Sequence, residues 1–175
     1  EIQKGLTAGK RIFIPAGTWL CENLNIRGYR NIRGAGRGNT VLKIPTGSSN
    51  FLMNCADGQT ENWLPYSCLT DFSIDGNKSK TALGGIYAGY VTNWVFERIA
   101  VYDFHNPSAI GLWLDHAYQI AIRDCYVRLG SKGAGKRGKA CFKLSASKAD
   151  PVHATHITYD NCLAQDSGTG FMLAA

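Results

Sequence analysis

The stretch LTDFSI, Leu69 to Ile74, returns along the chain in different letters with the same pattern. Phe96-Glu-Arg-Ile-Ala-Val101, Ile122-Arg-Asp-Cys-Tyr-Val127 and Tyr159-Asp-Asn-Cys-Leu-Ala164 all read apolar, polar, polar, apolar, any, apolar. A second apolar strand follows each copy: Ile86-Tyr-Ala88, Leu112-Trp-Leu114, Phe142-Lys-Leu144 and Phe171-Met-Leu173. A third precedes the last three copies: Trp94-Val-Phe96, Ile120-Ala-Ile122 and Ile157-Thr-Tyr159. Three strands thus recur in fixed order every 26 to 37 residues, with loops absorbing the difference in length.

Alternation within each strand turns every second side chain inward. Parallel strands in a flat sheet need helical crossovers, and no segment between these strands fits a helix. A chain that coils, laying each strand on its counterpart one turn earlier, meets the spacing without helices. The expected fold is therefore all-β: a right-handed, single-stranded parallel β-helix with three short strands per coil. Coils about 4.8 Å apart would line equivalent residues into ladders. One inward ladder is Phe72, Ile99, Cys125 and Cys162; another is Ile74, Val101, Val127 and Ala164. Asp71, Arg98, Asp124 and Asn161 fall at a sharp corner, where Asp and Asn tolerate left-handed backbone, so Asp71 and Asp124 read as turn formers.

Composition agrees with strands and turns: 175 residues, 20 glycines, 18% charged and 11% aromatic. No run of eighteen apolar residues is present to span a membrane. The net charge of +6 is dispersed except over Lys132 to Lys139, a segment that reads as a solvated loop or a contact for an acidic polysaccharide rather than a nucleic-acid surface. Within that segment, Gly130 to Lys136 has phosphate-loop spacing. However, Arg137 stands where Ser or Thr would hold magnesium, and a strand follows rather than a helix. Six cysteines without a C-x-x-C pair read as reduced, buried thiols, with Cys125 and Cys162 as core neighbours rather than a redox pair.

Three segments near the start carry a family resemblance. Ile2-Gln3, Pro15-Ala16-Gly17-Thr18-Trp19 and Gly34-Ala35-Gly36 resemble the capping-helix end, the first turn and the G-x-G turn of the pectate-lyase-like superfamily of β-helices. Within it the chain looks most like phage tailspikes and capsule depolymerases. The resemblance implies the end of a capping helix over residues 1–10, irregular first coils over 11–68 and regular coils over 69–175. A start inside a capping helix and a stop at Gly170 to Ala175 also lead us to expect a piece of a longer protein, truncated at both ends.

The resemblance implies a protein that binds and depolymerises a bacterial surface polysaccharide. It would act as a glycoside hydrolase or polysaccharide lyase in a virion tail, as a homotrimer among other tail proteins. The alternatives are a structural or adhesive β-helix without turnover, and a secreted bacterial lyase. In such a lyase Arg128, Lys143, His105 or Tyr102 would act on a uronate. Outward columns supply the candidate site. Tyr87, Trp113 and Lys143 stack on the second strand, while Asp75, Tyr102 and Arg128 follow the first, so flat rings and charged groups would bind sugar. Hydrolysis needs two flanking carboxyls, for which Asp103, Asp115 and Asp166 are the candidates. Asp103 and Asp166 would lie two coils and about 10 Å apart, and both also suit turns. Trp113 to His116, WLDH, resembles the WIDH of calcium-dependent pectate lyases and would bring a calcium ion. No other cofactor is implied, and the remaining pectate lyase and polygalacturonase motifs are absent from the sequence.

Overall fold

A computed structural model describes residues 2–8, 11–56, 63–130, 138–145 and 154–174. The Lys132–Lys139 cluster and the phosphate-loop-like segment fall largely outside these residues. The fold is the expected right-handed parallel β-helix, built of parallel strand pairs throughout. Six successive coils each contribute a strand to the second sheet: Leu24–Asn25, Phe51–Cys55, Gly84–Thr92, Ile110–Arg123, Gly138–Ser145 and Ser167–Ala174.

The ladders follow the register read from the repeat. Phe96 pairs with Leu69, Ile99 with Phe72 and Val101 with Ile74. Leu112 sits between Ile86 and Phe142, and Phe142 lies against Phe171. These inward columns are the core, in which Phe72, Ile74, Ile86, Phe96, Leu114 and Ile122 are fully buried. Burying a side chain of this size contributes about 1.5–3 kcal/mol, and the ladder repeats that gain from coil to coil until the last described one, where Phe171 and Leu173 are exposed. Trp94 is also buried, and its indole N–H donates to the Leu64 carbonyl at 2.7 Å.

The corners turn on single left-handed residues. Asp71, Arg98, Asp124 and Asn161 have φ of 64°, 50°, 50° and 49°, as expected for the turn between the third and first sheets. Asp71 is also an electrostatic clasp. Its carboxylate accepts from Arg98 Nε at 2.6 Å and from Arg33 Nε at 3.1 Å, one coil to either side. In the coil before, this corner widens to the loop 35–39, and its first residue must be glycine because a Cβ on Gly34 would lie 2.3 Å from the Asp71 carbonyl oxygen.

The helix Ile2–Ala8 closes the first coil. Leu6 is buried there. The Gln3 side chain continues the strand ladder: its Oε1 accepts from the Asn25 N–H at 2.9 Å and its Nε2 donates to the Asn25 carbonyl at 3.4 Å. A side-chain amide thus satisfies backbone groups that would otherwise lie bare at the edge of a sheet.

Candidate functional site

Strand alternation places Tyr87, Trp113, Lys143 and Met172 in one outward column of the second sheet, and Gly89, Asp115, Ser145 and Ala174 in the next. The two columns knit together. Tyr87 meets Trp113 edge to face at 5.0 Å between centroids, and Phe51 lies 5.7 Å from Tyr87 and 6.1 Å from Trp113. Lys143 Nζ sits 3.5 Å above the Trp113 ring, a cation–π contact.

Asp115 organises the polar half of this surface. Its Oδ2 accepts from the Tyr87 hydroxyl at 3.1 Å, and its Oδ1 accepts from Ser145 Oγ at 2.8 Å. Ser145 Oγ in turn accepts from Trp113 Nε1 at 2.7 Å. Behind them His116 is buried at the corner with φ 51°, its Nδ1 3.3 Å from Asp115 Oδ1 and its ring stacked on Tyr90 at 4.5 Å. Burial, together with the Asp115 charge, pushes the Tyr87 phenol upward. It remains a donor at neutral pH. The Lys143 ammonium is drawn downward by burial and by Lys139, against the pull of Asp115.

Within WLDH, Trp113 and Asp115 face out, Leu114 faces the core and His116 turns the corner. Among the described residues no group of three His, Cys, Asp or Glu side chains converges on a metal position. Calcium takes roughly six to eight oxygens. Asp115 is the only carboxylate in its network as described, so these residues alone do not make up that shell.

The first-sheet column runs Lys43, Asp75, Tyr102, Arg128 and Gln165. Lys43 Nζ lies 3.2 Å from Asp75 Oδ2, and Asp75 Oδ1 accepts the Asn77 N–H at 2.7 Å, closing a local turn. Burial and the charges of Asp75 and Asp103 push the Tyr102 phenol upward. Asp103 and Asp166 follow this column at equivalent corners with φ of 59° and 50°. Arg128 Nη2 lies 3.6 Å from Asp103 Oδ1.

Asp115, Tyr87, Trp113 and Lys143 therefore come together on one face. Asp75, Tyr102, Arg128 and Asp103 come together on another, with Asp166 farther along it. Among the described residues, no hydrogen bond or ion pair joins the two groups. Phe51 and Ser145 complete the second-sheet face. Neither was among the expected site residues, although the Ser145 ladder position opposite Asp115 was readable from the repeat.

No protein-family model matches the sequence, and no curated protein is similar to it. Solved structures of similar fold include the catalytic domain of a GH87 α-1,3-glucanase in complex with nigerose. It matches the whole of this chain at TM-score 0.69 and 18% identity, over 30% of its own length. ORF18 of Geobacillus virus E2 matches 98% of the chain at TM-score 0.59 and 15% identity, over 46% of its own length. The A-module of the Azotobacter vinelandii mannuronan C-5 epimerase AlgE4 matches 98% at TM-score 0.56 and 16% identity, over 64% of its own length. The chain thus spans from under a third to just under two thirds of these proteins. At such identities the likeness is one of fold, and these too are right-handed β-helices.

Proposed function

We propose that the chain belongs to a tailspike-like protein that binds a bacterial surface polysaccharide along the second sheet and depolymerises it. The observation that carries this reading is the outward run of Phe51, Tyr87 and Trp113 with Asp115, Ser145 and Lys143 held beside it. Aromatic faces take the apolar face of a sugar ring, and fixed acceptors and donors take its hydroxyls. Because the rings follow one another coil by coil, the surface suits an extended polymer. A glucanase holding nigerose, a mannuronan epimerase and a virus protein among the fold neighbours support the same direction.

The setting that goes with this reading is a virion tail, with other tail proteins, as a homotrimer. The small outward residues Val95, Ala121 and Thr158 stack on the third sheet, where a neighbouring chain would pack. A secreted lyase remains an alternative: the phenol of Tyr102 is pushed away from the ionised form a base requires, while the Lys143 ammonium is drawn toward its neutral form. One observation favours a non-enzymatic adhesin as the second reading: Asp115 lies on a different face from Asp103 and Asp166, so it does not flank one bond with either of them.

The test is binding and cleavage of capsular and lipopolysaccharide glycans by the protein and its Trp113→Ala variant, with products read by mass spectrometry. Support would be a bound glycan whose affinity falls at least about tenfold in the variant, the scale of a lost aromatic stack. New reducing ends would mark turnover. Binding without cleavage moves the conclusion to the adhesin, and unchanged binding by the variant removes the second-sheet site.

A further inference from the structure

The corner between the second and third sheets carries a column that the second-sheet site does not use. Tyr29, Tyr66, Asn93, Gln119 and His156 succeed one another there, all left-handed, with φ of 59°, 44°, 58°, 54° and 57°. Backbone bonds step along it from coil to coil: the Tyr29 N–H donates to the Pro65 carbonyl, Tyr66 N–H to Thr92 and Asn93 N–H to Tyr118. Such a position favours Asn or Gly, and a bulky side chain in it costs on the order of 1–3 kcal/mol. Asn93 obeys that preference. Tyr29 and Tyr66 do not, so turn chemistry does not explain them.

Burial does not explain them either. Three residues before Asn93 and Gln119, Tyr90 and His116 are also left-handed and stacked, but His116 is 3% exposed and belongs to the interior. Tyr29 and Tyr66 stack at 6.0 Å with 30° between planes, yet remain 58% and 60% exposed. Their mutual stacking offsets part of the strain and leaves most of both rings facing solvent.

Beside them lies a shallow depression of about 450 Å³ lined by Arg11, Arg30, Asn31 and Val95 as well as the two tyrosines. None of its described lining residues is acidic. Arg11 is exposed and has no hydrogen-bond or ion-pair partner among the described residues. Arg30 is fixed, with Nε donating to the Leu6 carbonyl at 3.0 Å and Nη1 to Gly28 at 3.3 Å. That anchoring leaves Nη2 for a ligand. Two exposed rings beside two guanidinium groups, with no carboxylate among the described lining residues, match a sugar ring that carries a negative charge.

We propose that this corner is a second carbohydrate site, selective for acidic saccharide units such as uronates. Tyr29 and Tyr66 supply the stacking ledge, and Arg11 and Arg30 pair with the carboxylate. The site lies on a different part of the coil from Trp113 and does not depend on the second-sheet reading. It shares Val95 with the third-sheet column and requires that end of the column to stay clear of a neighbouring chain.

The test is calorimetric titration of the 175-residue chain with oligogalacturonate, and with a malto-oligosaccharide of equal length as the neutral probe. The expected result is binding of the acidic probe that weakens as salt is raised. That binding falls on the order of tenfold in Tyr66→Asn and in Arg11→Ala. Asn suits the left-handed corner, so the tyrosine variant keeps the turn. The proposal is overturned by failure of the acidic probe to bind, by equal affinity for both probes, or by binding that survives Tyr66→Asn and Arg11→Ala. It is equally overturned if Tyr66→Asn alters only self-association in sedimentation.

Discussion

The phenol of Tyr87 reaches Asp115 Oδ2 at 3.1 Å by passing over Gly89, where an added Cβ would lie 2.8 Å from the hydroxyl oxygen. Gly89 pairs with Asp115 across the coil step, so the missing side chain is what opens the path between the two partners. The atom in the way is the far end of a movable side chain, not backbone. Gly89→Ala should therefore displace Tyr87 from Asp115 with little effect on the fold. Glycan affinity at the second sheet is expected to fall a few-fold, about 0.5–1.5 kcal/mol for one hydrogen bond, while the thermal midpoint stays nearly unchanged. A large drop in the midpoint with unaltered affinity would contradict this role for Gly89.

Asp71 ties acid stability to the corner. The hydrogen bond from Arg98 holds its carboxyl below the ordinary aspartate value of 3.8, with Arg33 adding to the effect. A depressed acid contributes stability that is complete above its unfolded value and is lost as pH falls through the folded one. Near neutrality Asp71→Asn should cost about 1 kcal/mol, since Asn keeps the left-handed turn but not the charge. Below pH 3.8 the two proteins should converge. Chemical denaturation at several pH values would reveal it, and a constant gap down to strong acid would rule the linkage out.

The ladders, the Asp71-type corners and the outward columns were all legible in the sequence, because period-2 alternation and a recurring coil fix register without knowledge of loops. Tyr29 and Tyr66 were equally available in principle. Each stands three residues before an inward ladder residue, Ile32 and Leu69, as Asn93 does before Phe96. They escaped because the repeat is clearest where the corner residue is polar, and a tyrosine there reads as part of a strand. Contacts that depend on side-chain reach were beyond such reading. The pairing of Lys143 with the Trp113 ring and the Asp115–Ser145–Trp113 relay depend on rotamers rather than on period.

The ladder neighbours Cys125 and Cys162 shift one another in opposite directions. All six cysteines are free thiols, with Cys55, Cys125 and Cys141 buried and Cys21, Cys68 and Cys162 partly exposed, so the expectation of buried thiols holds for half of them. Cys125 Sγ donates to the Arg123 carbonyl and Cys162 Sγ to the Asp160 carbonyl, both at 3.3 Å, and the contact between the two thiols pushes Cys125 up and draws Cys162 below the ordinary thiol range. Burial pushes Cys21 up to about 12 and Cys55 higher still. The thiolate is the nucleophile, so iodoacetamide at neutral pH should label Cys162 first, as read by peptide mass spectrometry. Cys162→Ser should remove the fast phase, and Cys125→Ala should shift its pH profile upward. First labelling of Cys21 or Cys68 would show that the contact between the two thiols does not govern reactivity.

The three candidate acids make different predictions because their surroundings differ. Asp115 is held among Tyr87, Ser145 and Trp113 on the sugar-binding surface, so Asp115→Asn should weaken glycan binding and turnover together. Asp103 and Asp166 sit in left-handed corners that Asn also tolerates. Asp103→Asn removes only the 3.6 Å pair with Arg128, which at a partly exposed site is worth under about 1 kcal/mol. If either corner acid protonates a leaving group or activates water, its Asn variant should lower kcat by 10²-fold or more with KM and thermal midpoint unchanged. If both are turn formers, both Asn variants should retain full kcat and full stability. A glycan-cleavage assay on the three single variants separates these outcomes. Activity that survives all three substitutions would place the catalytic carboxyls elsewhere.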